Sequence, residues 1–210
     1  MEVIDKSPKQ ATQVRQASLV AAALNLAAQR SPADITTTDL ARAVGITQGA
    51  LFKHFASKEA LWLAVMDGVT ETLMARLDAA AAQACGPSGD GAAPLAALRA
   101  VFMAHVDFVV QYPGVPRLIF QELQSPDDTP LKLRVRGLMQ RYRHLLFNLL
   151  QQAREKQGLR PDIDLHAAIV LFIGSVQGLV MQALISGDVS TVAAQAPGVF
   201  AIYQRGLQNA

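Results

Sequence analysis

The stretch from Thr36 to Lys58, TTTDLARAVGITQGALFKHFASK, gathers the residue types in this sequence best suited to reading a surface. Two short helical patterns flank Gly45, whose freedom at positive φ suits a tight turn between helices. Ala41 is small enough for the second helix to cross closely. Val44, Ile46 and Leu51 would plug the angle between the helices, and Phe52 and Phe55 would anchor the second helix to the body. Gln48, Gly49, Ala50, Lys53 and His54 are then left facing outward. A second helix of this kind places its N-terminal residues at base edges in the DNA major groove. Gln48 can pair bidentately with adenine, the Ala50 methyl can meet a thymine methyl, and Gly49 allows close backbone approach. Lys53, His54 and Lys58 suit phosphates, as do the hydroxyls and helix-start amides at Thr36 and Thr37. Thr47 and Phe52 complete the set expected on the DNA-facing side. Spacing alone leaves a three-helix bundle with no DNA role open beside this reading.

Other chemistry finds little support. The sequence has no phosphate loop, no dinucleotide-binding fingerprint, no His-Glu-x-x-His helix and no nucleophile elbow. Gly86–Gly91 is glycine-rich but lacks a following Lys-Ser/Thr. The four histidines, at 54, 105, 144 and 166, show no metal spacing, and the lone Cys85 excludes a disulfide framework or a cysteine-cluster zinc site. No catalytic residue, metal or cofactor is therefore expected, and the chain is not expected to be an enzyme. Its 210 residues are 51% hydrophobic and 17% charged with a net charge of +2, which excludes intrinsic disorder. The whole basic excess lies in residues 1–60, with seven Lys/Arg against five Asp/Glu.

The elements that must position these residues are helical. Strand-like alternation hardly occurs, while alanine, leucine and glutamine dominate. The predicted fold is all-α with about nine helices. Helix 1 starts at a Ser7 cap with Pro8 behind it and runs to about Gln29, before Ser31-Pro32. Helix 2 opens on the capping box Thr36–Asp39 and ends at Gly45. Helix 3, about Gln48 to His54, is capped by Thr47. Ser57 caps a long helix 4 reaching about Ala84, and Gly86–Gly91 reads as a loop. Helices follow over about 94–111, 116–123, 129–157, 162–186 and 190–207, with Pro197-Gly198 a point where the last could kink or split.

The segment AALNLAAQR…ITTTDLARAVGITQGALFKHFASKEAL resembles the N-terminal domain of the TetR family of transcriptional regulators, over about Gln13 to Met66. The Leu-Ala of helix 2, the Gly-Ile-Thr turn, Phe-Lys-His-Phe and Ser-Lys-Glu-Ala-Leu all fall in register. Two positions depart from the family pattern. Phe52 stands where a tyrosine is usual, which removes a hydroxyl that often touches phosphate, and Ser31-Pro32 stands where glycine is common. The resemblance implies a helix-turn-helix DNA-binding domain over 1–56 and a regulatory domain over 57–210. It implies a homodimeric repressor that binds a palindromic operator on double-stranded DNA and is released by a small-molecule effector, acting through helices 4 and 6.

Within 57–210, Gly174-Ser175-Val176-Gln177-Gly178 clears one face of helix 8 for another backbone, and Val199, Phe200, Ile202, Tyr203 and Leu207 give helix 9 a second apolar surface. Two such helices from each subunit would form a four-helix bundle about a two-fold axis, with Gly174, Gly178, Met181, Phe200 and Tyr203 in the interface. An effector pocket would draw on His105, Phe108, Tyr112, Phe120, Met139, Tyr142, Phe147 and Gln177, apolar walls with a few polar groups. Lys132, Arg136 and Arg143 fall near one face of helix 7, which reads as a solvated face, with a basic patch for an anionic effector or DNA as the alternative. The 23 residues between Asp164 and Asp188 carry no formal charge, but Ser175, Gln177 and Gln182 at the centre favour an interface helix over a membrane span. With a polar start and no apolar leader, the protein is expected in the cytoplasm, away from membranes. The rival reading is a helical interaction or membrane-peripheral module without specific DNA binding.

Overall fold

In a computed structural model, residues 8–85 and 93–208 are described, and among them every regular element is helical. The order is α1 (Pro8–Gln29), a 3-10 turn (Pro32–Asp34), α2 (Thr37–Ala43), α3 (Gln48–Phe52), α4 (Lys58–Cys85), α5 (Ala93–Gln111), α6 (Gly114–Leu123), α7 (Pro130–Glu155), α8 (Leu165–Ser186) and α9 (Ser190–Leu207). The Ser7 cap and the Gly86–Gly91 loop lie outside the described residues. Helix α9 runs unbroken through Pro197. Helix α3 stops two residues earlier than expected, because the amides of Lys53 and His54 bond back three residues to Ala50 and Leu51 and tighten the chain. Helix α6 starts two residues earlier than expected, on a turn in which the Val115 amide donates to the Tyr112 carbonyl.

The chain divides into two compact units. One takes the chain up to Val69 together with Tyr112–Val135. The other takes Thr70–Gln111 and the chain from Arg136 on. The first unit is therefore larger than a helix-turn-helix ending at 56: it also holds the start of α4, all of α6 and the start of α7.

In the first unit Leu19, Ala23 and Ala27 line one face of α1 and are fully buried with Ile35, Leu40, Leu51 and Leu61. Full burial is worth roughly 1.5–3 kcal/mol for each large aliphatic side chain. Helix α6 lies against α1 at close range. A Cβ on Gly114 would sit 2.3 Å from the Leu24 carbonyl oxygen and 2.9 Å from the Ala28 nitrogen, so only glycine fits. At the other end of α6, Gln121 Oε1 accepts from the Ser31 hydroxyl and the Ala33 amide, each at 3.0 Å. Lys58 Nζ donates to the Ala33 carbonyl at 3.1 Å, so the Ser31–Asp34 turn is held from two sides.

The second unit is built round aromatic rings. Phe102 of α5 meets Phe172 of α8 at 5.2 Å and Phe200 of α9 at 5.3 Å between centroids. Tyr142 of α7 and Tyr203 of α9 meet Phe172 edge-on at 6.3 and 5.5 Å, geometries that aromatic quadrupoles favour. The Tyr203 hydroxyl donates to the Ala168 carbonyl at 3.2 Å, which satisfies it in the core. Helix α5 (over Pro94–Gln111) and α8 are each long and apolar enough to cross a membrane by length and composition; 50% and 44% of these stretches are buried.

Candidate nucleic-acid interface and effector region

The start of α2 is fixed by a reciprocal cap. Thr36 Oγ1 accepts from the Asp39 amide at 3.1 Å, and Asp39 Oδ2 accepts from the Thr36 amide at 2.9 Å and the Thr36 hydroxyl at 2.7 Å. Arg30 pairs with the same carboxylate at 2.8 Å. These contacts, the Thr36 hydroxyl first, then its amide and Arg30, hold the Asp39 pKa down to about 2. The Thr36 hydroxyl proton is thereby given to Asp39, not presented to a phosphate. Helix α2 ends at Ala43 with Val44 as its C-terminal cap, and Gly45 follows at φ +68°, the left-handed conformation expected of the turn. Thr47 then caps α3, its hydroxyl accepting from the Ala50 amide at 3.1 Å.

Helix α3 is seated by Leu51, fully buried, and by Phe55 just beyond it. Gln48, Gly49 and Lys53 are exposed and Ala50 is half-buried. A Cβ at Gly49 would meet nothing within 4 Å, so nothing inside this chain requires glycine there. Gln48 Nε2 donates to Thr37 Oγ1 at 2.7 Å, joining the two helices across the turn. Phe52 departs from the anchoring role expected of it: it is 45% exposed, because Leu51 and Phe55 already fill the inward side of this short helix. His54 is half-buried. Its carbonyl accepts from Gln16 Nε2 at 3.1 Å, while its Nδ1 is buried without a hydrogen-bond partner. Lys58 is half-buried on the Ala33 carbonyl.

The residues expected round an effector are divided between the two units. His105 and Tyr142 do meet: His105 Nδ1 lies 3.1 Å from the Tyr142 hydroxyl, with the rings edge to face at 5.2 Å. Burial pushes the His105 pKa down to about 4 and the Tyr142 pKa far up, so both are neutral at pH 7. Phe108 is buried beneath the Arg76 guanidinium, 5.5 Å from its centroid, and Arg76 also donates to Gln111 Oε1 at 2.6 Å. Phe147 stacks on His166 at 5.7 Å, and Met139 is half-buried. Tyr112 and Phe120 belong to the first unit and are half-buried there. Gln177 is exposed on the outer face of α8, away from the interior that carries His105 and Tyr142. Among the described residues no group of His, Cys, Asp and Glu could hold a metal ion.

The expected interface residues fall on two sides. Gly174, Gly178 and Met181 are exposed on α8. Phe200 and Tyr203 are not: at 1% and 4% exposure they belong to this chain's own aromatic core. The outward apolar residues that sequence reasoning missed are Val170, Leu171 and Ile185 of α8, with Ile202 of α9 exposed as it was expected to be. Val170 and Leu171 lie four and three residues before Gly174, and Ile185 lies four after Met181, and that helical spacing was the available signal. A groove of about 500 Å³ between α8 and α9 opens on this face, lined among others by Leu171, Ser175, Val199 and Ile202. On α7 part of the basic run is paired: Arg134 with Asp67 at 2.9 Å, and Arg141 with Glu71 at 2.6 Å.

A capped helix pair joined by a left-handed glycine, with an exposed glutamine, glycine and lysine on its second helix, defines a helix-turn-helix DNA-binding protein of the all-α class. Residues 19–65 match the bacterial regulatory proteins of the tetR family, and residues 94–196 match the tetracyclin repressor-like C-terminal domain. The chain belongs to the TetR family and is a ligand-responsive, DNA-binding transcriptional regulator. It is 26% identical over 158 residues, 75% of each chain, to the nucleoid occlusion factor SlmA of Haemophilus ducreyi. Among solved structures, the fatty acid degradation regulator FadR from Bacillus halodurans shares the fold with a TM-score of 0.77 at 19% identity, covering 98% of this chain and 100% of that one. FadR from Bacillus subtilis in complex with stearoyl-CoA gives 0.75 at 14% identity, covering 91% and 99%.

Proposed function

We propose that this chain represses transcription in the cytoplasm as a homodimer on an inverted-repeat operator, releases DNA when a small molecule binds, and has no catalytic activity of its own. The observation that carries the DNA-binding surface is α3 with the turn that follows it, which leaves Gln48, Gly49 and Lys53 exposed while Leu51 and Phe55 lock the other side. Residues 1–56 carry DNA recognition and 57–210 regulation. Gln48 reads a base. Ala50 meets a methyl, and Gly49 lets the backbone approach. Lys53, Lys58 and the helix-start groups at Thr37 and Thr47 seat the phosphates, with Phe52 packing against the sugar-phosphate backbone and His54 beside it. The dimer is supported by the exposed apolar stripe Val170, Leu171, Met181 and Ile185, interrupted by Gly174 and Gly178, where added Cβ atoms would meet nothing within this chain. The effector is a largely apolar molecule with a neutral hydrogen-bonding group for the His105–Tyr142 pair.

Two substitutions test the surface. Gln48→Ala should cost about 1–3 kcal/mol on the selected operator and flatten the preference at one position of each half-site. Lys53→Ala should weaken every duplex alike and lower the slope of log K against log salt by about 1. A Gln48→Ala protein that selects the unchanged motif would show that α3 does not read bases as placed here.

A further inference from the structure

We propose that Thr37 is a specificity-determining positioning residue: its hydroxyl takes one amide proton of Gln48 and so restricts that side chain to adenine against guanine. The inference rests on Gln48 being the base reader. It starts from the 2.7 Å bond in which Gln48 Nε2 donates to Thr37 Oγ1. A glutamine amide carries two N–H donors and one carbonyl acceptor. With one donor committed to Thr37, Gln48 offers the groove one donor and one acceptor. That is the complement of the adenine edge, which presents N7 as acceptor and N6–H as donor. The guanine edge presents two acceptors, N7 and O6. It would draw both N–H groups of an untethered glutamine, and it leaves a tethered one with its carbonyl facing another acceptor. A buried acceptor without a partner is a strong basis for rejection.

The tether also fixes which way the amide faces. Without it, rotation of the terminal amide exchanges donor and acceptor, and a long exposed side chain loses more rotamer freedom on binding. Thr37 is well placed to serve as the fixed point. It stands at the first position of α2, directly behind the Thr36–Asp39 cap, and is half-buried. The two threonines divide the work: the Thr36 hydroxyl gives its proton to Asp39, whereas Thr37 Oγ1 accepts from Gln48. In accepting, Thr37 keeps its own hydroxyl proton to donate, and a DNA phosphate is the acceptor that docking would bring. A single hydroxyl would then link the seating of the backbone to the reading of the base.

The experiment is selection from random duplex DNA at one fixed salt concentration with wild type, Thr37→Val, Thr37→Ser, Thr37→Ala and Gln48→Ala, each checked for an unchanged melting temperature. The wild type should enrich adenine at the position that Gln48→Ala equalises. Thr37→Val and Thr37→Ala should reduce the adenine-to-guanine ratio there roughly tenfold, with the preferences at the other positions unchanged, while Thr37→Ser, which keeps the hydroxyl, should hold the wild-type ratio. Guanine at the Gln48-dependent position would overturn the proposal. So would a Thr37→Val protein that keeps the adenine preference, whatever affinity it loses on all sequences alike with the phosphate contact. A Gln48→Ala protein with no altered position would instead overturn the assignment of Gln48 as base reader, an outcome distinct from failure at Thr37.

Discussion

His105 and Tyr142 form a polar pair beside the aromatic core of the second unit, and the pair sets a pH dependence that can be measured. The folded chain resists protonating His105 until about pH 4, whereas in the unfolded chain the same imidazole protonates near its usual 6.5. Between those values the unfolded state binds the extra proton. Stability from this group is therefore complete above about pH 6.5 and is lost as the pH falls toward 4. Wild type should melt at progressively lower temperature from pH 7 to pH 4.5. His105→Gln, which can still bond the Tyr142 hydroxyl but cannot titrate, should show a flatter profile. Parallel profiles for the two proteins would refute a His105 held neutral in the folded chain. At Asp39 the sign is the familiar carboxylate one, and its cap should survive to well below pH 4, with a carboxyl titration midpoint near 2.

Single residues also mark where sequence was a good guide. Thr36, Gly45, Thr47 and Ser57 declare their roles through short-range rules, and each cap and the left-handed turn are present as read. Which side of a helix an aromatic residue takes is a tertiary matter. Phe52, Phe200 and Tyr203 are all apolar enough for core or surface, and what their neighbours fill decides between them. The bond from Gln48 to Thr37 joins residues eleven apart and has no local signature.

At the scale of elements, α6 carries the least expected arrangement. Sequence reading placed a short helix here, over about 116–123, but not its neighbour. Gly114 reads as a terminator of the preceding helix, and the backbone contact with Leu24 and Ala28 that demands glycine is invisible without the fold. Gly114→Ala must push α6 away from α1 or bend it. Overpacking of this kind costs about 1–3 kcal/mol, which for a chain of this size is a loss of roughly 2–10 °C in melting temperature. Calorimetry of the variant checks this, and an unchanged transition would mean that α6 does not pack on α1 as described. Gln121, which holds the Ser31–Asp34 turn from the far end of the same helix, had no signal in the sequence beyond being polar.

For the whole molecule, the division of surface is the informative feature. The chain has placed its charges sparingly and left one face of α8 apolar, with Ile185 72% exposed. An exposed apolar stripe of this kind marks an interaction site. If that site is a second copy, Ile185→Lys should convert a dimer to a monomer in sedimentation equilibrium at micromolar concentration while each subunit keeps its helicity. Affinity for a full operator should fall with it, because two half-sites no longer engage one particle. A variant that sediments as the wild type would remove α8 from the interface.

The most direct test of the account is selection from random duplex DNA by the purified full chain near 150 mM salt, where specific binding can be told from charge-driven binding. A homodimeric helix-turn-helix regulator should enrich an inverted repeat whose half-sites are about one helical turn, roughly 34–36 Å, apart. Protein unfolded and refolded free of any co-purified small molecule that still enriches no motif would contradict the claim that this chain is an operator-binding repressor.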